Sequence, residues 1–166
     1  MNGEFQIEPL GGQDRKAFNC GVPALDRYFQ TQVSQDVKRL MASCFVVTEI
    51  TTGRMAGFYT LAASSVRADD LPAAIVKRLP RYPVLPAALI GRLAVDLNFQ
   101  GRKLGAAMLG NAVRRVMAAE VRAFAIIVDA KDESAVAFYV KHGFAPFLHR
   151  PMSLLMSLSS ARLALA

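Results

Sequence analysis

Short runs of hydrophobic residues occur along most of the chain, and each run has the length of a β-strand. Some alternate with polar residues, as half-buried strands do, and others are continuous, as buried strands are. The predicted strands are Phe5–Leu10, Cys44–Ile50, Met55–Leu61, Ala88–Asp96, Phe124–Asp129, Phe144–Phe147 and Met152–Leu158. Residues Thr51–Arg54 separate the second run from the third, and we expect a hairpin turn there.

Three other stretches repeat hydrophobic residues every three or four positions, which is the spacing of one helix face. The first begins near Pro23, the second follows Gly101, and the third covers Glu133–His142 and is ended by Gly143. The repeated positions are Leu25, Phe29, Val33, Val37 and Leu40 in the first helix, and Leu104, Met108, Ala112 and Val116 in the second. Together these elements predict an α/β fold in which helices flank a mixed sheet, with Leu79–Pro86 as an extended surface loop.

The composition narrows the class of protein. The chain has 166 residues, of which 53% are hydrophobic and 20% are charged, which predicts one domain over residues 1–166 and excludes a disordered chain. Cys20 and Cys44 have no CxxC spacing, so we expect no metal site. No apolar stretch has the length of a membrane span, and residues 1–10 lack a signal-peptide pattern, so we expect a cytoplasmic protein.

The charge leaves two interpretations open. The formal net charge is +7 at pH 7. Many small domains carry such a charge for solubility alone. A polyanionic partner, either a nucleic acid or a phosphate-rich cofactor, would also explain it.

The segment Gly91–Ala106 is the first that suggests chemistry. A predicted strand runs into a loop that contains Gly101 and Gly105, and the loop opens directly into the second helix. The first N–H groups of a helix lack intrahelical partners and bind anions such as phosphate. Arg102 and Lys103 would add positive charge. An ordinary strand-to-helix turn with a basic first turn is the alternative.

A second segment, Val128–Phe144, makes the first more specific, because the two together resemble the GNAT family of N-acetyltransferases. That family has a phosphate loop of the form Q/R-x-x-G-x-G/A and a later helix with A-x-x-F-Y-x-x-x-G-F. The matching residues are Gln100, Gly105 and Ala106 in the loop, and Ala135, Phe138, Tyr139, Gly143 and Phe144 in the helix. The resemblance implies a GNAT fold, a mostly antiparallel mixed sheet with splayed middle strands.

Further motifs resemble the GNAT toxins of bacterial type II toxin–antitoxin pairs. They are FNCG at Phe18–Gly21, LDRYF at Leu25–Phe29, FYTL at Phe58–Leu61, LPRYP at Leu79–Pro83, GRLAVD at Gly91–Asp96 and VDAK at Val128–Lys131. This resemblance implies an acetyl-CoA-dependent enzyme that acetylates the amino group of aminoacyl-tRNA and blocks translation. It also implies neutralisation by a ribbon-helix-helix antitoxin, and we expect a homodimer.

The resemblance assigns roles to particular residues. Backbone groups of Leu93, Ala94 and Val95 would pair with the pantetheine arm of acetyl-CoA, and Tyr139 would protonate the leaving thiolate. The alternative for Tyr139 is an aromatic residue of the core with no part in the reaction. We expect Phe138 to pack inward beside the cofactor. The pyrophosphate would be held by the loop residues Gln100, Gly101, Arg102, Lys103, Leu104, Gly105 and Ala106.

Lys103 departs from the family pattern, which has its first glycine there. The ammonium could hold a cofactor phosphate, or the side chain could crowd the loop and leave a catalytically impaired cofactor- or RNA-binding module. The chain has two histidines, His142 and His149, and neither suggests a general base. For His142, at the end of the third helix, we expect a capping role.

An aminoacyl ester needs little help from a base, since a free α-amino group has a pKa of about 7.7–8.0 and esterification lowers it. Lysine, near 10.4, would need such help. Transfer to a small amine or a protein N-terminus is the alternative activity. The residues expected to bind tRNA phosphates are Arg39, Lys77, Arg78, Arg81 and Arg92, each of which could instead be a solvated surface charge.

Overall fold

The computed structural model describes residues 3–165, with side chains described for 3–161. Within that range the strands are β1 (Phe5–Pro9), β2 (Ser43–Glu49), β3 (Met55–Arg67), β4 (Val84–Val95), β5 (Ala125–Asp129), β6 (Ala145–Pro146) and β7 (Ser153–Ser157). They form a sheet in the order β1-β2-β3-β4-β5-β7-β6. β4 and β5 are parallel, whereas β1–β2, β2–β3, β5–β7 and β6–β7 are antiparallel. The predicted mixed α/β fold is confirmed.

The helices are α1 (Pro23–Arg27), α2 (Val33–Lys38), α3 (Ala73–Val76), α4 (Leu104–Ala118), α5 (Glu133–Lys141) and α6 (Leu158–Leu165), with a π-helical turn at Tyr28–Gln32. The pattern predicted α4 and α5 closely, whereas α3 and α6 had no predicted counterpart. None of the helices in residues 3–165 is long and apolar enough to cross a membrane.

The chain divides into two compact units, each with its own core. The first comprises Met1–Ala62 and Gly91–Ala112, and the second comprises Ala63–Ile90 and Val113–Ala166. In the first core the Phe29 ring stacks on that of Phe58, with centroids 4.2 Å apart. The second core includes the buried residues Val66, Leu71, Leu85, Ala87, Ala125, Ile127, Phe147 and Leu155. Each unit takes residues from two stretches of the chain, and the single domain stays a prediction.

The end of the first helical run differs from its prediction. Phe29 and Val33 are buried as expected, but Leu40 is 89% exposed. The helix stops because the N–H of Met41 bonds to the carbonyl of Asp36 at 2.9 Å, which is the helix-ending bond of a Schellman motif. Leu40 therefore takes the left-handed position, with φ 61°, where glycine is usual, and lies outside the helix face.

The predicted Pro-rich loop is shorter than expected, because β4 begins at Val84 rather than Ala88. The side chain of Leu85 is buried in the second core, so the chain is already part of the folded sheet at this position. Pro86 has no N–H to donate, but its carbonyl accepts a hydrogen bond from the N–H of Phe124 at 3.0 Å. The loop proper therefore ends at Pro83. β3 is longer than predicted and continues to Arg67.

Candidate active site

The candidate phosphate-binding loop begins at a buried carboxylate in the first unit. Asp96, which follows β4, is 2% exposed. Its carboxylate accepts hydrogen bonds from the N–H groups of Asn98, at 2.8 Å, and Asn19, at 2.9 Å. Asp96 thereby fixes the point at which the chain leaves the strand. The GRLAVD motif contains Asp96, but the motif alone does not indicate a role for it.

The loop backbone suits an anion. Gly101 and Lys103 both adopt left-handed conformations, with φ of 79° and 62°. The first bond of α4 runs from the N–H of Ala107 to the carbonyl of Lys103 at 3.1 Å. The amides of residues 104–106 come before that bond and have no intrahelical acceptor. Such amides at the start of a 15-residue helix are suited to a pyrophosphate.

Three of the predicted loop residues have side chains that contact other parts of the protein. The amide of Gln100 donates to the carbonyl of Val95 at 3.2 Å. Arg102 forms an ion pair with Glu4 and lies 4.8 Å from the centroid of the Phe5 ring. Leu104 is a buried core residue, so its backbone rather than its side chain is available to a ligand. Exposed ion pairs contribute only about 0–1 kcal/mol, so a phosphate can compete for Arg102.

Lys103 occupies a backbone position that favours glycine. A left-handed conformation costs a residue with a side chain roughly 1–2 kcal/mol. The Lys103 side chain is exposed and has no acidic partner within residues 3–161. Backbone strain and a free ammonium are therefore both present, and they affect different measurable quantities.

We expect Lys103→Gly to separate these two effects. Removing the left-handed strain should increase the free energy of unfolding by up to about 1 kcal/mol. Losing the ammonium should weaken acetyl-CoA binding roughly tenfold at low salt, and less at moderate salt. Thermal unfolding and calorimetric titration measure the two quantities. Lys103→Ala is the control, because it removes the charge but keeps the strain. Tighter binding of the glycine variant would mean that Lys103 crowds the loop.

The predicted pantetheine strand lies beyond the part of β4 that pairs with β5. The β4–β5 register ends at the pair Ile90–Val128, and β4 continues through Gly91–Val95. Ala94 is buried in the first core, and a Cβ added at Gly57 would lie only 2.9 Å from its carbonyl oxygen. Glycine at 57 thus permits β3 to approach β4 closely.

A threonine hydroxyl accepts a main-chain hydrogen bond near the start of this stretch. Thr60, in β3, is 2% exposed, and its Oγ1 accepts a hydrogen bond from the N–H of Arg92 at 3.1 Å. A Cβ added at Gly91 would lie 3.2 Å from the same oxygen. The absence of a side chain at 91 therefore leaves room for this bond.

Tyr139 lies in the second unit, on α5. Asp132 caps the start of that helix, where its carboxylate accepts a hydrogen bond from the N–H of Ala135 at 2.8 Å. The helix ends before Gly143, which has φ 98°. The Tyr139 ring packs edge-on against Phe144, with centroids 5.4 Å apart. Burial raises the pKa of Tyr139 to about 12, so its hydroxyl keeps the proton at neutral pH.

The prediction that Phe138 packs inward is wrong, because its neighbour Tyr139 takes the buried position. Tyr139 is buried, whereas Phe138 is only partly buried. Phe138 instead lies beside His142, with ring centroids 4.6 Å apart. His142 follows the last residue of α5, and its Nδ1 lies 2.8 Å from the carbonyl oxygen of Phe138. The predicted capping role of His142 is therefore confirmed.

Arg92 belongs to an aromatic and acidic network in the first unit. Its guanidinium lies 3.6 Å from the centroid of the Tyr28 ring, and the Tyr28 hydroxyl donates to the Asp36 carboxylate at 2.7 Å. Burial and then the Asp36 hydrogen bond raise the pKa of Tyr28 to about 12, against the opposing charge of Arg92. Arg92 is nevertheless exposed, as is Arg39 just past α2.

The remaining predicted RNA-binding residues lie together in the second unit. Lys77 and Arg78 follow α3, Arg81 lies in the loop before β4, and all three are exposed. Their roles, like those of Tyr139 and the loop residues, stay predictions.

Comparison with known proteins agrees with these features. The model of the acetyltransferase (GNAT) family matches residues 19–144. The chain belongs to this family. Among curated relatives of this GNAT chain, the tRNA-acetylating toxin of Mycobacterium tuberculosis is 37% identical over 151 residues, which cover 90% of this chain and 89% of the relative.

Solved structures extend the comparison to complexes. AtaT complexed with acetyl-methionyl-tRNAfMet has a TM-score of 0.90 and 28% identity, with 98% of this chain and 99% of that chain covered. A tyrosine-to-phenylalanine mutant of AtaT, bound to the C-terminus of the antitoxin AtaR and to acetyl-CoA, has a TM-score of 0.83 and 25% identity. The same shares of the two chains, 98% and 99%, are covered there.

Proposed function

We propose that this GNAT chain transfers the acetyl group of acetyl-CoA to the amino group of aminoacyl-tRNA, and that it acts as a toxin by blocking translation. The observation that carries the proposal is its 37% identity to a tRNA-acetylating toxin over 90% of the chain. AtaT, with 28% identity, is known in complex with acetyl-methionyl-tRNAfMet.

Residues described above fit the separate steps of this reaction. Acetyl-CoA would supply a thioester whose carbonyl carbon the amino group attacks. The amides of Leu104, Gly105 and Ala106 would hold the pyrophosphate, since they have no intrahelical acceptor. Tyr139 would donate its proton to the sulfur as the carbon–sulfur bond breaks, because burial keeps that proton on the phenol.

The kind of amine that accepts the acetyl group can be inferred from its pKa, because the amine must be neutral to attack the thioester. An α-amino group has a pKa of about 7.7–8.0, and an ester lowers it further, so a useful fraction is already neutral near pH 7. His142 caps α5, where its Nδ1 lies 2.8 Å from the carbonyl oxygen of Phe138, and the proposal assigns it no role as a general base. This supports an aminoacyl ester rather than a lysine side chain.

The direct test offers labelled acetyl-CoA and the purified protein three acceptors: charged tRNA, the same tRNA after deacylation, and a panel of small amines and peptides. We expect label only in charged tRNA, on its amino acid. Label only in an amine or peptide would assign a different GNAT activity. Acetyl-CoA binding without transfer to any acceptor would identify an impaired module.

Lys77, Arg78 and Arg81 would supply much of the affinity for RNA. Replacing all three by alanine should weaken tRNA binding and lower the slope of log affinity against log salt by about 0.7–0.9 for each phosphate no longer neutralised. Acetyl-CoA binding should not change. The matched control replaces the exposed residues Lys16, Arg114 and Arg122, which removes the same charge elsewhere. Equal salt slopes for the two triple variants would contradict a specific role for the loop.

The partners proposed for this chain are a homodimer copy and a small ribbon-helix-helix antitoxin, within a single acetyltransferase domain that works in the cytoplasm. The complex of AtaT with the C-terminus of AtaR supports an antitoxin. An adjacent reading frame for a ribbon-helix-helix protein, relief of growth arrest by its co-expression, and the mass of the free toxin in sedimentation equilibrium would test these assignments.

A further inference from the structure

A cavity of about 320 Å³ lies in the second unit, where the chain passes from α3 to β4. This volume lies within the range of small-molecule sites. Its walls are largely apolar, and two residues that can bind a polar ligand, Arg81 and Tyr82, also line it. The apolar part includes Val76, Leu79, Pro80 and Pro83.

Hydrogen bonds and core packing hold this segment in place. The N–H of Tyr82 donates to the carbonyl of Pro80 at 2.8 Å, and the N–H of Ala68 donates to the carbonyl of Pro83 at 3.0 Å. Leu79 packs against the second core. Tyr82 nevertheless leaves 61% of its surface exposed. The Tyr82 ring is thus exposed to solvent, while hydrogen bonds hold the backbone of its segment in place.

The charge around the cavity is positive. Lys77, Arg78 and Arg81 are exposed, and none has an acidic partner among residues 3–161. The nearby carboxylates are already compensated, since Asp69 pairs with Arg67 at 3.3 Å and Asp70 with Arg150 at 3.9 Å. An occupant of this surface should therefore be anionic and should carry a flat apolar group.

We propose that this cavity binds an unpaired nucleotide of the RNA substrate, with its base stacked on Tyr82 and its phosphate held by Arg81. Exposed aromatic rings next to cations are how proteins hold single-stranded nucleic acid, because every base offers a π-face. A base-paired segment would have its bases stacked inside the helix, so the site selects an unpaired end or loop. The inference rests on the proposed function and assigns it an RNA-binding subsite.

A tryptophan reporter tests the stacking directly. The chain contains no tryptophan, so Tyr82→Trp introduces a single fluorophore at the cavity. A short single-stranded RNA should quench its emission, whereas a blunt RNA duplex of the same sequence and inorganic polyphosphate should not. Equal quenching by all three, or no quenching by single-stranded RNA, would overturn the proposal.

Affinities of variants with unchanged charge give a second test. Tyr82→Ala should weaken single-stranded RNA binding about 5- to 150-fold, the range measured for loss of base stacking. Its salt slope should equal that of the wild type, because every cation that faces a phosphate is still present. Tyr82→Phe keeps the ring and should retain the affinity. Val121→Ala, at an exposed apolar residue, is the control.

The two proposals fail in different ways. If the wild type acetylates charged tRNA and Tyr82→Ala binds RNA equally well, the nucleotide subsite is wrong and the function stands. If charged tRNA is not acetylated but single-stranded RNA still quenches the tryptophan, the function is wrong and the subsite stands.

Discussion

Tyr139→Phe should lower the turnover of acetyl transfer by roughly 10²–10⁴-fold, the usual contribution of a general acid. A phenol with a pKa of about 12 is a weaker acid than a thiol, whose pKa is about 8.5, so the lower part of that range is expected. Affinity for acetyl-CoA and thermal stability should hardly change, because phenylalanine keeps the ring packed against Phe144. Single-turnover kinetics with charged tRNA would measure the loss.

The pH profile adds an independent check. Wild-type turnover should rise with pH as the acceptor amine loses its proton, and then level off, because Tyr139 keeps its proton until pH approaches 12. The phenylalanine variant should show the same rising limb at a lower plateau. Turnover equal to that of the wild type would remove Tyr139 from the mechanism.

Asp96→Asn should lower the free energy of unfolding by about 1.5–3 kcal/mol, the contribution of a hydrogen bond to a charged group. The carboxylate accepts from the N–H groups of both Asn19 and Asn98, and an amide that turns its oxygen to one presents its NH₂ to the other. Because Asp96 fixes the entrance of the phosphate loop, acetyl-CoA affinity should fall as well. Urea unfolding and calorimetry would measure the two effects.

Asp14→Asn is the matched control for this substitution. Asp14 is exposed, and its carboxylate accepts a hydrogen bond from the nearby N–H of Lys16, at 3.0 Å. Its change should stay within about 0.5 kcal/mol. A similar small loss at Asp96 would mean that the loop holds its shape without the buried carboxylate.

Elements set by local sequence could be predicted. The apolar stripe of α4 and the Gly143 stop of α5 act within a few residues, and both helices lie close to their expected positions. Leu40 shows where such patterns fail, because its spacing continues the helix face while the Schellman bond to Asp36 has already ended the helix. The spacing of hydrophobic residues does not predict at which residue the backbone hydrogen bonds of a helix end.

The site could be predicted only in its backbone outline. The motifs pointed to the loop before α4 and to Tyr139, but the bond from Asn19 to Asp96 joins residues 77 positions apart, and the pair Arg102–Glu4 is 98 positions apart. No local pattern contains such partners. The structure buries Tyr139, which packs against Phe144, rather than Phe138, and the spacing of the motif alone does not decide between them.

The hydrogen bond accepted by the Thr60 hydroxyl restricts which residues are tolerated at positions 60 and 91. Valine would match threonine in shape and suit a buried strand, yet it would leave the Arg92 amide without its acceptor. Alanine at 91 would press on the same oxygen. Substitutions at positions 60 and 91 should therefore be energetically coupled, so that the penalty of one depends on the residue at the other. The residues at these two positions, 31 apart in the sequence, therefore constrain each other.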